Sequence, residues 1–319
     1  MVLTEKLNPQ DILRAVQLLK QGHVVAFPTE TVYGLGAPIF DPDAVAAIFE
    51  LKRRPSDNPL IAHIATLDQI HEIAIDIPPL FFVLAQAFFP GPLTLILKKH
   101  PAVPSIVSGG MDTIAVRMPQ DPIARRLIAE VGQPLVAPSA NLSGKPSATH
   151  CEHVLEDFMG SLKAVIDGGP TELGIESTVV SLLQDPPQLL RPGSITKEQI
   201  EDVIGYLIEQ ADSHVKEGPV TSPGMKYRHY APLTPLKLFR TENDLREYLA
   251  NHPQECPMVL TRYTSFDLVK GDHYCLSAKQ LYALLRLADV RCYSIILILG
   301  DESLLKDPAL TNRLLRASQ

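Results

Sequence analysis

Two periods of apolar spacing alternate along the chain, and the switches between them mark its elements. Ile12, Ala15, Val16 and Leu19 recur at helical spacing after Asn8-Pro9-Gln10-Asp11, and Gly22 closes the run. An Asn cap, a proline at the first helical position and an acid in the first turn are a helix start, and the glycine is its stop. The same device predicts helices over Ala44–Lys52, after Asp41-Pro42-Asp43, and over Ile123–Val131, after Asp121-Pro122. Further helices are predicted over Thr149–Phe158 and Lys197–Glu209. Between them lie short β-rich runs: Val24–Phe27, Leu60–Ile64, Leu93–Lys98, Thr113–Met118, Leu135–Ala137, Ala164–Ile166, Thr178–Leu183 and Gln188–Leu190. Strands separated by helices, with hairpin-like spacing near residues 178–190, predict an α/β domain with a mixed sheet and flanking helices.

After the last of these helices the pattern breaks. Gln210–Pro235 is polar, rich in proline and glycine, and longer than an ordinary connection, so it reads as a linker or a functional loop. Beyond it, Leu236–Phe239, Met258–Leu260 and Ser294–Leu299 predict strands, with helices near Glu242–Ala250 and Ala278–Ala288. The expected organisation is a catalytic α/β domain over 1–210, a linker over 211–235 and a small α/β domain over 236–319.

Composition narrows the class. A chain of 319 residues suits one large or two ordinary domains, and 45% hydrophobic with 20% charged residues is the balance of a soluble globular protein. The net charge of −7 argues against a chain built to coat nucleic acid, which needs clustered cations, but leaves room for a local basic pocket. Cys151, Cys256, Cys275 and Cys292 form no C-x-x-C pair, which points to free thiols in a reducing compartment. The N-terminus has no apolar signal core and no apolar run reaches membrane-spanning length, so a cytoplasmic location without a membrane is expected.

Candidate chemistry gathers at strand ends. Ala26–Pro38, AFPTETVYGLGAP, breaks a strand at Pro28 and sets Thr29 and Thr31 on a turn. Lys52–Ile64, KRRPSDNPLIAHI, adds Lys52, Arg53 and Arg54 at a helix end and Asn58-Pro59 before a strand that carries His63. Cations there also complement the helix dipole, so a purely structural role stays open. Arg117 ends an apolar strand and must either pair with a buried acid or face a ligand, and its planar fork suits a carboxylate. Ala137-Pro138-Ser139-Ala140-Asn141 and Ser143–Ser147 offer hydroxyls and main-chain N–H groups to phosphate, or are turns built for backbone reasons. Arg191, in Arg191-Pro192-Gly193, is another cation at an element end. Neither a P-loop nor a Rossmann glycine motif is present, so a nucleotide would need a different cradle. His150-Cys151-Glu152-His153 invites a metal test, but His and Glu are commonplace at a helix start, and no metal is expected there. No Ser-His-Asp triad can be argued.

In order along the chain, PTETVYGLG, KRRPSDNPLIAHI, DTIAVRMP, APSAN, ESTVV and LLRPG together resemble the YrdC/Sua5 family of threonylcarbamoyl-AMP synthases. The later SPGMKYRHYAP and the α/β segment after it resemble the two-domain Sua5 branch. The resemblance is strong over roughly 7–235 and weak beyond. It implies a YrdC-like domain with a twisted mixed sheet, a linker, and a small Rossmann-like α/β domain. It implies an enzyme that condenses L-threonine, bicarbonate and ATP into threonylcarbamoyl-adenylate and pyrophosphate, with Mg2+ accompanying ATP. The product feeds the tRNA threonylcarbamoyl-transfer machinery that makes t6A at position 37; direct tRNA binding is not expected. By the same resemblance, Thr31, His63, Arg117 and Ser177 correspond to threonine-contacting positions, with the backbone of Ala137 nearby. Arg54, Asn58, Thr113, Ser139, Ser147 and Arg191 correspond to ATP-contacting ones, joined by Tyr227 and His229 in a linker that would act as a lid over the nucleotide. Lys52 and Arg54 supply the charge neutralisation expected of catalysis. Two other readings compete: an RNA-binding module of the YrdC type, and a carbamoyl-transfer domain of hydrogenase maturation. The second needs cysteine pairs that this chain lacks.

Overall fold

The computed structural model describes residues 3–211, 230–268 and 270–318; Tyr227, His229 and most of the expected linker lie outside the described residues. The chain divides into two compact units. The first holds the described residues up to Ser143 and those from Ala148 to Ala211, and the second holds Gly144–Ser147 and the residues from Tyr230 onward.

The strands of the first unit, in chain order, are β1 (Glu5–Leu7), β2 (Val25–Phe27), β3 (Gly34–Pro38), β4 (Ile61–His63), β5 (Ala74–Ile75), β6 (Leu93–Lys99), β7 (Thr113–Arg117), β8 (Leu135–Val136), β9 (Ala164–Ile166), β10 (Thr178–Ser181), β11 (Gln188–Arg191) and β12 (Glu209–Gln210). They join in one mixed sheet of order β1-β9-β2-β3-β8-β4-β7-β6-β10-β11-β12, with β5 beside β6. The predicted α/β class with a mixed sheet is therefore found. The helix caps that predicted it are formed: Asp41 accepts from the N–H groups of Asp43 and Ala44 at 3.1 and 3.0 Å, and Asp121 from those of Ile123 and Ala124 at 2.8 and 2.9 Å.

Among the elements that differ from expectation, three have a plain physical reason. Gly34–Pro38 is a strand despite its glycines and proline, because pairing with β2 and β8 overrides weak local preference. Pro79–Phe88 is a helix whose near-continuous apolar sequence carries no helical period to read. The helix predicted over Lys197–Glu209 ends at Ile204, capped by left-handed Gly205, and Glu209–Gln210 pairs with β11 instead.

Side chains alternate across the sheet. One face carries Ala26, Ala62, Ile114, Val116, Leu95, Val165 and Val180 in the main core, under the helices Pro42–Lys52, Pro79–Phe88 and Cys151–Phe158. On the other face Val25, Phe27, Leu135, Ala164 and Ile166 pack under the helices Ile12–Lys20 and Pro122–Val131. Further along that second face Ile61, Ile96, Ala115 and Val179 form a small cluster of their own, joined by Leu190.

The second unit has β13 (Leu236–Phe239), β14 (Pro257–Thr261), β15 (Asp272–Cys275) and β16 (Ile295–Leu299), all parallel in the order β13-β16-β14-β15. Helices Glu242–Asn251 and Leu281–Val290 connect them, and two short helices, Glu302–Leu305 and Pro308–Ala317, follow. The sequence pattern marked all of these strands except β15. Among the described residues, no helix is long and apolar enough to cross a membrane.

Candidate active site

The small apolar cluster is the floor around which the predicted site residues of the first unit collect. In the parallel pair of β4 and β7, Ile61 lies opposite Ala115 and His63 opposite Arg117. In the antiparallel pair of β6 and β7, Ile96 lies opposite Ala115. Thr94 lies opposite Val179 in the parallel pair of β6 and β10, and Val179 opposite Arg191 in β11. Residues opposite one another project to the same face. His63, Thr94, Arg117 and Arg191 therefore stand on the face that carries the floor, and Thr113 joins them two positions before Ala115. A register shift between Val179 and Val180 lets Leu190 reach the cluster beside Arg191, as bulges near functional sites do.

Arg117 is nearly buried and has a partner at each nitrogen. Its Nε donates to the carbonyl of Gly91 at 3.3 Å and its Nη1 to Thr31 Oγ1 at 2.7 Å, while Nη2 lies 2.6 Å from Glu30 Oε1. The ion pair left open by the sequence is thus present, and its acid is Glu30. Thr31 sits on a turn, as expected, yet is fully buried, with its Oγ1 2.9 Å from that of Thr29.

His63 is buried, with Nδ1 3.2 Å from the carbonyl of Ile61. A carbonyl only accepts, which assigns the proton to Nδ1 and leaves a lone pair on Nε2. Burial, helped by the Arg117 charge, pushes its pKa down to about 3, so the ring is neutral.

Ser177 and Arg191 form a second group. Arg191 donates from Nε to the Ser177 carbonyl at 3.0 Å and from Nη2 to its Oγ at 3.1 Å. Thr94 Oγ1 lies 2.7 Å from the same hydroxyl. The Ala137 N–H donates to the carbonyl of Ile61 at 3.0 Å, fixing the strand that leads into Ser139.

The cations of the KRRPSDN block divide. Lys52 is buried, and its ammonium donates to the carbonyls of Ser139 at 2.5 Å and Asn141 at 2.6 Å. Ser139 Oγ in turn donates to Asn141 Oδ1 at 2.6 Å. Arg53 is exposed in the left-handed position that ends its helix. Arg54 donates from Nε to Asn58 O at 3.2 Å and from Nη2 to Pro59 O at 2.9 Å. The side-chain oxygen of buried Asn58 has no hydrogen-bond partner among the described residues. Ser147 belongs with the second unit.

Cys151, Glu152 and Asp167 present a possible metal triad. Lys6 answers it: its ammonium lies 3.1 Å from Glu152 and 2.9 Å from Asp167, and burial pushes the Cys151 thiol up to about 12. A cation is already there, and a protonated thiol is a poor ligand.

Glu30 and Thr94 are the site residues that sequence reasoning missed. Each had a signal: Glu30 is an acid inside an otherwise apolar and hydroxyl-bearing block, and Thr94 interrupts the continuous apolar run Leu93–Leu97.

Comparison with known proteins gives the family. Residues 17–193 match the Sua5/YciO/YrdC family model, described as telomere recombination, and residues 195–319 match the threonylcarbamoyl-AMP synthase C-terminal domain. The chain is 44% identical to the threonylcarbamoyl-AMP synthase of Pyrococcus abyssi over 98% of its own length and 96% of the relative's. It is 49% identical to that of Bacillus subtilis over 79% of its length and 74% of the relative's. The crystal structure of P. abyssi Sua5 complexed with L-threonine superposes with a TM-score of 0.92 at 41% identity, covering 99% of this chain and 98% of that one.

Proposed function

The chain belongs to the two-domain Sua5 type of the YrdC/Sua5 family, and from that premise we propose that it condenses L-threonine, bicarbonate and ATP into threonylcarbamoyl-AMP and pyrophosphate. The observation that carries the reading is the ring of polar groups around an apolar floor, with Arg117 and His63 side by side and Arg191 clasping Ser177.

In this reading the remaining N–H groups of Arg117 take the threonine carboxylate, with Thr31, Ser177 and the main chain of Ala137 around the substrate. The bare Nε2 of His63 accepts a hydrogen bond from the amine or hydroxyl. Because that ring is so weakly basic, it orients the substrate and does not take its proton to completion. The ammonium proton passes to bicarbonate, which breaks down to CO2 and water; the neutral amine left behind bonds to the CO2 carbon and releases one proton to solvent, giving the carbamate. A carbamate oxygen then attacks the α-phosphorus of ATP, and the bond from that phosphorus to the β-bridging oxygen breaks to release pyrophosphate.

Arg54, Asn58, Thr113, Ser139 and Arg191 hold the nucleotide, and the unpartnered Asn58 oxygen fits a residue awaiting a donor. Catalysis is by positioning and charge neutralisation, with no covalent intermediate on the protein. Mg2+ would travel on the phosphates, since the cations, hydroxyls and amides named for the nucleotide suit phosphate oxygens rather than a metal. Lys52 acts by holding the Ser139–Asn141 loop rather than by touching phosphate. The product then passes to the transfer machinery that modifies tRNA, which sets the reaction in the cytoplasm.

The test is pyrophosphate release with each substrate omitted in turn. Turnover should need both L-threonine and bicarbonate. Serine should be poorer but not silent, since one methyl group is worth about 1–3 kcal/mol in such a pocket. Equal turnover without an amino acid rejects the proposal.

A further inference from the structure

Arg117 owes its orientation to the protein before any substrate arrives. A guanidinium has five N–H donors. Gly91 O and Thr31 Oγ1 each take one, and Glu30 faces Nη2 at 2.6 Å. The side chains of Arg117 and Glu30 are only 5% and 3% exposed, so neither charge is balanced by water. A buried cation in that state requires a counter-charge. The Glu30 main chain is itself fixed, its carbonyl accepting from Leu173 N–H at 2.8 Å. Its carboxylate oxygens accept no aligned hydrogen bond among the described residues, so the pair is a charge contact. Glu30 also lines a cavity of about 200 Å³ with Thr29, Gln120, Asp121 and Thr171.

We propose that Glu30 is the positioning residue of the amino-acid site: its charge holds the Arg117 plane so that N–H groups on both terminal nitrogens are left for a substrate carboxylate. Terminal guanidinium N–H groups are donors that a carboxylate can accept in bidentate fashion. The Arg117–Glu30 pair is formally neutral, and so is an amino-acid zwitterion. The site thus binds its substrate without gaining net charge in a dry environment. This inference rests on the reading of Arg117 as the carboxylate grip.

The experiment uses the full chain and titrates L-threonine, its carboxamide and ATP by calorimetry against Glu30→Gln, Glu30→Asp and Arg117→Ala, each with a melting curve. Glu30→Gln should bind threonine about tenfold more weakly, the loss of one well-placed charge-assisted contact, while ATP and the carboxamide bind as in the parent. Glu30→Asp, which keeps the charge, should recover part of the loss. Unchanged or tighter threonine binding in Glu30→Gln overturns the proposal, because Glu30 is then idle or only a screening charge. A parallel fall for all three ligands with a lowered melting point also overturns it, since the role is then structural. Should Glu30→Gln fail to fold, Glu30→Asp decides: weaker threonine binding with ATP unchanged supports the proposal, and parent-like binding ends it. If Arg117→Ala loses threonine and Glu30→Gln does not, only this inference falls. If Arg117→Ala keeps threonine, the assignment beneath it falls as well.

Discussion

The ammonium of Lys52 donates to the main-chain carbonyl of Ser139 at 2.5 Å, joining a helix end to a loop 87 residues further on. The second bond, to Asn141 O, and a return bond from Ser143 N–H to Lys52 O at 2.9 Å make it a clasp. Lys52→Met keeps most of the volume and removes the donor. Two carbonyls then lose a charged partner, which lowers stability by about 2–3 kcal/mol, at the scale of hydrogen bonds to charged groups. Pyrophosphate release should fall with it as the Ser139 loop moves. Denaturant melts alongside ATP titration check this. A loss of ATP affinity with stability unchanged would instead put Lys52 on the phosphates.

His63 gives a pH signature of definite sign. Its folded pKa, about 3, lies below the ordinary value near 6.5, so the unfolded chain protonates first as pH falls. Above the unfolded value the group contributes nothing to pH dependence. Below it stability is lost progressively, by about 2 kcal/mol at pH 5. His63→Gln removes this contribution, so the difference between parent and variant stability should shrink from pH 7 to pH 5. Urea melts at the two values measure it, and a constant difference rejects the neutral buried ring.

Much of this was legible in the sequence because it rests on local chemistry. Asp41-Pro42 and Asp121-Pro122 announce their helices through caps that need no tertiary partner. Arg117, His63 and Arg191 stand out as polar groups in apolar strands. What could not be read was pairing at long range. Nothing local says that Glu30 meets Arg117, that Lys52 reaches Ser139, or that Thr94 and Ser177 share a hydroxyl contact. Gly34–Pro38 became a strand only because β2 and β8 flank it.

Arg191 and Ser177 were assigned to different substrates, but they touch. Arg191 grips both the carbonyl and the hydroxyl of Ser177. Arg191→Ala should therefore weaken ATP binding first and threonine binding as well, because Ser177 loses its orientation. Ser177→Ala should chiefly affect threonine. The double variant should fall short of the sum of the two by about 0.5–3 kcal/mol, the range for residues in contact. Calorimetric titration of both ligands across the cycle measures the coupling, and strict additivity would mean that the clasp carries no energy.

Gly193 explains why a glycine follows Arg191-Pro192. A Cβ placed there would lie 2.7 Å from the carbonyl carbon of Ser177 and 2.8 Å from Thr178 Oγ1. Neither neighbour can yield freely. Thr178 N–H donates to Pro92 O at 3.0 Å, and Thr178 Oγ1 donates to Ile195 O at 2.6 Å. Gly193→Ala must therefore push the Ser177–Thr178 main chain away from Arg191, at the cost of about 1–3 kcal/mol typical of overpacking. The displacement acts on the residue assigned to threonine, so KM for threonine should rise as stability falls. Gly132→Ala is the control. Gly132 caps the helix Pro122–Val131 with a φ of +84°, and an added Cβ there meets nothing within 4 Å. That variant should lose about 1 kcal/mol to backbone strain and leave both substrate constants unchanged. If Gly193→Ala behaves like Gly132→Ala, the close approach of Gly193 to Ser177 has no bearing on the site.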